Sequence, residues 1–260
     1  MPNLRSAFSL LFFAWLGSLS AQVVVNEQES KGIIYNKEGI LTGTIHPNGW
    51  AVGYKQGKLK TYYLTKFWSF ELGEIRNSKE YKQRNEFNLP LISGGSSSPK
   101  SFAYGKRNNF LVSRIGYGEK RYLTDKAIVK GVVVGYSWEI GASIGMLKPY
   151  YLELINRLTD PPTIEAVKYS EENQSKFLDY GSIYGSSSFL KGLGEISFVP
   201  GAYGRLGLHF DWGAFDEMVK SVDVGLMLDA YPKKILIMAN QENRPYFLNL
   251  YVHLQLGKRW

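Results

Sequence analysis

Apolar and polar residues alternate along many short stretches of this chain, most clearly in residues 248–260. One side of that stretch carries an apolar residue at almost every second position. The other side carries mostly polar residues such as Asn249, His253 and Gln255. A period of two is that of a β-strand with one apolar and one polar face. The same alternation recurs in residues 59–74, 132–139, 202–212 and 222–230.

Residues 1–21 have the composition of a secretory signal peptide. Arg5 supplies the positive charge, residues 7–16 form an apolar core, and small residues precede Gln22. The apolar core is shorter than the roughly 20 residues of a transmembrane helix, and no later stretch is apolar for long enough. We therefore expect cleavage after Ala21 and a mature chain of residues 22–260 outside the cytoplasm.

The alternation, the signal peptide and the C-terminal tryptophan favour a membrane barrel. Transmembrane barrels use strands of about 9–11 residues with apolar side chains outward and polar ones inward. A soluble β-sandwich is the alternative, and it would pack the apolar faces against each other. We predict an all-β fold, an up-and-down antiparallel transmembrane barrel in the outer membrane of a Gram-negative bacterium. The end of the last strand resembles a barrel-assembly signal, formed by Val252, Leu254, Leu256 and Trp260.

The turn signals predict about eight strands, at residues 39–54, 59–74, 109–118, 130–139, 142–155, 200–212, 218–230 and 245–260. The Pro-Asn-Gly sequence at 47–49 is interpreted as a bend, because a turn there would leave two strands too short to span and an odd total. An even count places both chain ends in the periplasm. Residues 55–58, 119–129, 156–199 and 231–244 are then outer loops, and residues 75–108, 140–141 and 213–217 are periplasmic turns.

Composition agrees with a sheet-rich protein and narrows the chemistry. The chain has 27 glycines and 18 tyrosines but no cysteine, which excludes disulfides, thiolate metal sites, thiol catalysis and a lipidated cysteine anchor. Glycine-rich phosphate loops and metal motifs such as HExxH are absent from the sequence. No catalytic, cofactor-binding or metal-binding residues are therefore predicted.

Charged residues on the polar strand faces are expected to point into the barrel. Eight strands enclose a space that side chains can fill, and buried charges must be paired. We therefore predict a sealed interior, with a narrow ion or proton path as the alternative. The predicted lumen charge network consists of Arg114, Glu139, Arg205, Asp211, Asp223 and Asp229.

The histidines raise an enzymatic alternative. A lipid A-modifying hydrolase or acyltransferase would need a histidine with a serine and a carboxylate near the outer rim. His253 and Asp229 are candidates, but no motif places a serine beside them. We predict that the protein is not an enzyme.

Positive charge is concentrated in residues 75–108, within a chain of formal net charge +8. The candidate partner-binding residues there are Arg76, Lys79, Lys82, Arg84, Lys100, Lys106 and Arg107. They suggest an anionic partner, such as lipid head groups, peptidoglycan or an acidic protein surface. With reversed topology they would face lipopolysaccharide phosphates, and a solvated loop is the alternative. The long loop 156–199 is expected to cover the barrel mouth or contact a partner, although ordinary surface variation explains it equally well. Nucleic acid is not expected in this compartment.

Several stretches resemble a family of small outer-membrane β-barrel proteins of Bacteroidota, most of which are described only as hypothetical proteins. They are residues 48–50, 67–82, 104–123, 144–154, 228–238 and 257–260. Relatives usually have a His-Pro pair where this chain has Asn77-Ser78. The resemblance implies location and architecture and supplies no catalytic residues.

Together these patterns predict a non-enzymatic outer-membrane barrel without a cofactor. We expect a structural or accessory subunit of an envelope assembly or secretion machine, in contact with membrane lipid and lipopolysaccharide. Its segment 75–108 would contact a periplasmic or outer-membrane protein. A lipid A-modifying enzyme is the first alternative, and a small diffusion pore is the second.

Overall fold

The computed structural model describes residues 35–85, 100–125, 131–157 and 162–260, and these are mostly β-structure. The predicted signal peptide lies outside the described residues. The barrel strands are β1 (Lys37–His46), β2 (Gly49–Leu59), β3 (Leu64–Ile75), β6 (Asn108–Tyr122), β7 (Val133–Pro149), β11 (Ser197–Asp211), β12 (Met218–Ala230) and β13 (Tyr246–Arg259). Each pairs antiparallel with its neighbours, and β1 pairs with β13 to close the barrel. The prediction of an eight-stranded up-and-down barrel is confirmed.

The remaining elements lie in the connections. They are β4 (Lys82–Gln83), β5 (Phe102–Ala103), β8 (Tyr151–Asn156), β9 (Thr163–Lys168), α1 (Gln174–Phe177), β10 (Ile183–Ser186) and two single-turn 3-10 helices at Tyr180–Ser182 and Leu193–Glu195. No helix in the described ranges is long and apolar enough to cross a membrane.

The barrel wall is apolar outside and polar inside. On β13, the outward side chains of Leu248 and Leu250 are 60% and 64% exposed, whereas the inward Asn249 and His253 are 3% and 0% exposed. A soluble protein buries its leucines and exposes its charges. The opposite arrangement is that of a barrel whose outer surface contacts lipid.

Exposed aromatic side chains mark both edges of this apolar surface. Trp50, Phe198 and Tyr246 lie at the start of β2, β11 and β13, and Trp212 and Trp260 lie at the opposite end of the barrel. Membrane barrels carry such aromatic girdles where the hydrocarbon meets the head groups. The girdles therefore indicate the thickness of membrane that the wall spans.

The first hairpin differs from its predicted form. β1 and β2 pair without a break, from Lys37 opposite Lys58 to His46 opposite Gly49. The Pro-Asn-Gly sequence therefore forms the turn between them. The predicted turn at 55–58 is wrong, because these residues lie within β2 and Lys55 reaches Glu139 inside the barrel. Strands of ten or eleven residues are long enough to span when they tilt.

The predicted turn at 140–141 is also wrong. β7 continues through Gly141, which pairs with Gly116 on one side and Tyr203 on the other. Alternation is unbroken there, since Glu139 is buried while Ile140 is exposed. The predicted strands 130–139 and 142–155 are therefore largely one strand. Missing the turn at 47–48 lowered the predicted number of strands by one, and the false turn at 140–141 raised it by one. The predicted count was eight because these two errors cancel.

These two errors reversed the side assigned to several connections. The turn at 47–48, residues 231–245 and the described residues of segments 76–107 and 150–196 lie at one end of the barrel, here called the loop end. Residues 60–63, 123–125, 131–132 and 212–217 lie at the opposite end, here called the terminal end, with the start of β1 and the end of β13. The prediction that segment 75–108 shares an end with the chain termini is wrong, as is the placement of 119–129 beside the long loop.

We expect an arginine on the outer wall to destabilise the barrel. Leu250→Arg should lower the free energy of unfolding by about 2–4 kcal/mol, because it places a charge in hydrocarbon. The measurement is reversible denaturation of the protein in lipid vesicles. Leu190→Arg is the matched control, since Leu190 is 72% exposed and lies outside the barrel strands; we expect a change of about 0.5 kcal/mol or less. Equal effects would contradict a lipid-facing wall.

Candidate functional site

A network of paired charges occupies the middle of the barrel. The Arg114 guanidinium donates to both carboxylate oxygens of Asp229 at 2.7 and 2.9 Å and to Glu71 Oε1 at 2.7 Å. Arg205 donates to the same Glu71 oxygen at 2.9 Å. All four side chains are at most 4% exposed. Two arginines and two carboxylates thus cross-link β3, β6, β11 and β12 through the interior.

Thr44 and His253 extend this network towards β1 and β13. The Thr44 hydroxyl lies 2.9 Å from Glu71 Oε2 and 2.7 Å from His253 Nδ1. The same histidine nitrogen lies 3.5 Å from the Arg205 guanidinium. Glu71 therefore has hydrogen-bonding partners on both oxygens, as a buried carboxylate requires.

Glu139 forms a second centre of the network. Lys55 Nζ lies 3.2 Å from Oε2 of Glu139. The hydroxyls of Ser69 and Tyr203 donate to its Oε1 at 2.7 and 2.5 Å. Tyr203 reaches this position because Gly116 lacks a side chain, and a Cβ there would collide with the tyrosine hydroxyl. The glycine makes room for an aromatic ring inside the barrel.

A third group of charges lies near the terminal end. Glu38 accepts from Lys120 at 3.0 Å and from Arg259 at 3.2 Å. Arg259 also donates to Asp211 at 2.9 Å, and the Tyr122 hydroxyl donates to the same carboxylate oxygen at 2.5 Å. The last arginine of β13 is thereby tied to β1, β6 and β11.

Apolar groups close the interior on both sides of the charges. At the loop end, Phe110 and Val112 pack with Ile237 and Met238 from segment 231–245. At the terminal end, the ring of Tyr62 stacks on Phe215 at a centroid distance of 3.9 Å. Within the described residues, the barrel is thus filled by charged groups in its middle and by apolar groups at each end. A barrel of eight strands is narrow enough for side chains to fill it in this way.

All six residues of the predicted lumen network lie inside the barrel, at most 6% exposed. Sequence reasoning did not assign Glu38, Lys55, Glu71 and Lys120 to this network. Glu38, Lys55 and Lys120 lie just outside the predicted strands 39–54 and 109–118, although the structure places them within β1, β2 and β6. Glu71 lies on the polar face of the alternating stretch 59–74, and a carboxylate at that position was the available signal.

Two of the three histidines, His209 and His253, are enclosed in the barrel interior. His253 is fully buried between Thr44 and Arg205. Asp223 accepts from Ser137 at 3.0 Å and also contacts His209 Nδ1, so the carboxylate separates the serine from the imidazole. Among the described residues no serine hydroxyl bonds to a histidine, and no cluster of three or more metal-ligating side chains is found.

The loop end carries a second candidate site, here called the loop platform, formed by residues 231–245 and by the described residues of segments 76–107 and 150–196. Asn85 Nδ2 donates to the carbonyl oxygens of Tyr180 and Ile183 at 3.0 and 2.8 Å. The backbone N–H of Arg107 donates to Ile237 at 2.8 Å, and that of Ala239 donates to Gly105 at 2.7 Å. The three segments are therefore joined by hydrogen bonds.

The platform also has its own apolar core. Phe102 packs with Leu152, Leu154, Phe177 and Ile183, all of them fully buried. Strands β8, β9 and β10 form a small sheet beside this core, and β4 pairs with β5. A core and two sheets give the platform a defined shape above the barrel.

Local hydrogen bonds order the surface of the platform. The Ser182 hydroxyl and the backbone N–H of Gly181 donate to Asp179, and together they hold the pKa of the Asp179 carboxyl below its usual range. Lys168 and Tyr151 donate to Glu195 at 2.7 and 2.8 Å, which lowers the pKa of the Glu195 carboxyl.

The seven candidate partner-binding residues differ in exposure. Lys106 is buried and pairs with Glu80 at 2.6 Å, and half-buried Arg107 lies over the ring of Tyr169 at 4.9 Å. Exposed Arg76 pairs with Glu74 at 2.7 Å. The other four, Lys79, Lys82, Arg84 and Lys100, are exposed. Residues 86–99 of segment 75–108 lie outside the described part of the chain.

Comparison with known proteins gives limited similarity. No protein-family model matches the chain, and no curated protein matches it. Among solved structures, the N-terminal β-barrel domain of Pseudomonas aeruginosa OprF is 9% identical with a TM-score of 0.35, and the match covers 87% of this chain and 98% of that one. Ail, the attachment invasion locus protein of Yersinia pestis, is 9% identical with a TM-score of 0.38, covering 87% and 100%.

Removing the central arginine should destabilise the protein strongly. Arg114→Leu leaves Glu71 and Asp229 without their shared cation, and we expect a loss of about 3–5 kcal/mol of unfolding free energy. Arg76→Leu breaks an ion pair whose arginine side chain is 44% exposed, so its loss should be about 1 kcal/mol or less. Denaturant titration of both variants in detergent micelles measures the difference. A small effect at Arg114 would show that the network contributes little to folding.

Proposed function

We propose that this protein is a sealed outer-membrane barrel that anchors the loop platform in the membrane and has no enzymatic activity. The supporting observation is the combination of a lipid-facing wall, an interior occupied by paired charges and a structured platform at one end. Such a barrel supplies position and rigidity, while the platform supplies the contacts. The role is that of an accessory subunit of an envelope assembly or secretion machine, which is also the role expected from the basic segment 75–108.

The platform faces the cell exterior in this proposal. Membrane barrels have short periplasmic turns and longer extracellular loops. The terminal end carries the short connections, such as 60–63 and 212–217, whereas the loop end carries 76–107 and 150–196. The basic segment 75–108 then meets a partner at the outer surface instead of in the periplasm, close to lipopolysaccharide phosphates.

The charge of the exposed platform residues favours an acidic partner surface. Lys79, Lys82, Arg84 and Lys100 are all exposed, and no ion pair within the described residues involves them. Clustered cations attract anionic partners and accelerate their association.

A sealed barrel should not conduct ions. The purified protein, reconstituted into planar lipid bilayers, is expected to give no stable conductance steps, because the charges within the lumen are paired and apolar groups close both ends. A porin inserted under the same conditions provides the positive control. Reproducible conductance steps would contradict the sealed barrel and favour the diffusion pore.

Neutralising the exposed platform cations should release the protein partner. We expect a variant with Lys79, Lys82, Arg84 and Lys100 changed to glutamine to lose co-purification of a cross-linked partner by about tenfold or more. The matched control changes four exposed lysines at the terminal end, Lys37, Lys58, Lys60 and Lys220, to glutamine. Quantitative mass spectrometry of cross-linked membranes compares the two variants. Absence of any partner, or equal loss in both variants, would refute the accessory role.

A further inference from the structure

A cavity of about 340 Å³ opens at the loop end, between the ends of β3, β6 and β7 and the platform. It is here called the basic cavity. Its charged lining consists of the cations Arg76, Lys82, Lys106 and Lys148 and the carboxylates Glu74 and Glu80. The cations outnumber the carboxylates by two, so the cavity carries an excess of positive charge.

The two carboxylates are already paired within the cavity wall. Arg76 donates to Glu74 Oε2 from two of its nitrogens, at 3.1 and 2.7 Å. Lys106 Nζ donates to Glu80 Oε1 at 2.6 Å. Lys82 and Lys148 have no carboxylate partner among the described residues.

Lys148 is the more unusual of these two lysines because it is only 2% exposed. Its Nζ has one hydrogen bond, a long one of 3.3 Å to the Pro149 carbonyl oxygen, and lies 4.6 Å from the centroid of the Phe189 ring. A buried ammonium without a counter-ion is costly. An anion in the cavity would provide the missing charge.

Glu80 supplies a second unsatisfied group. Its side chain is 6% exposed, and its Oε2 is buried without a hydrogen-bond partner among the described residues. A carboxylate oxygen only accepts, so a hydroxyl on the ligand would satisfy it. The cavity therefore offers a place for an anionic group and a place for a hydroxyl group of the same occupant.

The donors around the cavity are suited to phosphate. Lysine binds phosphate as a point charge, whereas arginine binds either phosphate or carboxylate through two parallel N–H groups. The guanidinium of Arg76 is already occupied by Glu74. The hydroxyl-bearing residues Ser187 and Ser188 line the same cavity.

We propose that the basic cavity binds a sugar phosphate, with the phosphate at Lys148 and Lys82 and a sugar hydroxyl at Glu80. The sugar phosphate is either a free molecule or the head group of a membrane lipid. This site goes beyond the proposed accessory role, since it needs no protein partner. Bilayer conductance or failure to find a partner would leave it unaffected.

Calorimetric titration of the folded protein in phosphatidylcholine nanodiscs tests the proposal. Glucose 1-phosphate should bind saturably, and at least about tenfold more tightly than either glucose or inorganic phosphate. Lys148→Met keeps the aliphatic stem but removes the charge, and we expect it to weaken binding by about tenfold or more. The variant should remain folded because it removes an unpaired buried charge. Circular dichroism checks this.

Lys176→Met is the control, because Lys176 is an exposed platform lysine that does not line the cavity. Absence of glucose 1-phosphate binding, equal binding of inorganic phosphate, or equal weakening by the two methionine variants would overturn the proposal.

A second arm identifies the source of the ligand. The titration is repeated in nanodiscs containing phosphatidylinositol 4-phosphate, whose hydroxylated ring carries a phosphate monoester. A fall in glucose 1-phosphate affinity assigns the cavity to a lipid head group, and unchanged affinity assigns it to a free sugar phosphate.

Discussion

The whole structure depends on the requirement that charges enclosed by a lipid-facing wall be paired. Hydrocarbon outside the barrel cannot solvate polar groups, so strand backbones must bond to one another in a closed ring and charged side chains must point inward. Arg114 meets this requirement by binding Glu71 on the adjacent strand and Asp229 on a strand that is not its neighbour. These contacts tie non-adjacent parts of the wall together through the interior.

A filled barrel has consequences for function. Its interior is occupied by packed groups and its outer wall by lipid, so recognition is left to the loop end. There the chain places an apolar core around Phe102 and Phe177, small sheets and the basic cavity. Lys148 connects the two regions, since it lies on the outward face of β7 near the end of that barrel strand and also lines the cavity. The rigid barrel thus supports one wall of the proposed ligand site.

The alternation of side chains was a reliable guide to strands but a poor guide to turns. The Pro-Asn-Gly sequence is a strong turn signal, and it was set aside because the resulting strands looked short. Gly141 suggested a turn, yet it lies in mid-strand because Tyr203 needs the space beside it. A glycine that ends a strand and a glycine that admits a ring look alike in sequence.

The sequence by itself determined the alternating strands, their apolar face and their charged face, because these follow from a period of two; the count of eight strands was reached only because two turn errors cancelled. Tertiary structure decided which charges pair, since Arg114 and Asp229 are far apart along the chain and meet only across the closed barrel. It also decided which end carries the basic segment 75–108, because that side depends on the parity of the preceding strands. The unpaired Lys148 and the free oxygen of Glu80 became visible only once every neighbouring partner had been placed.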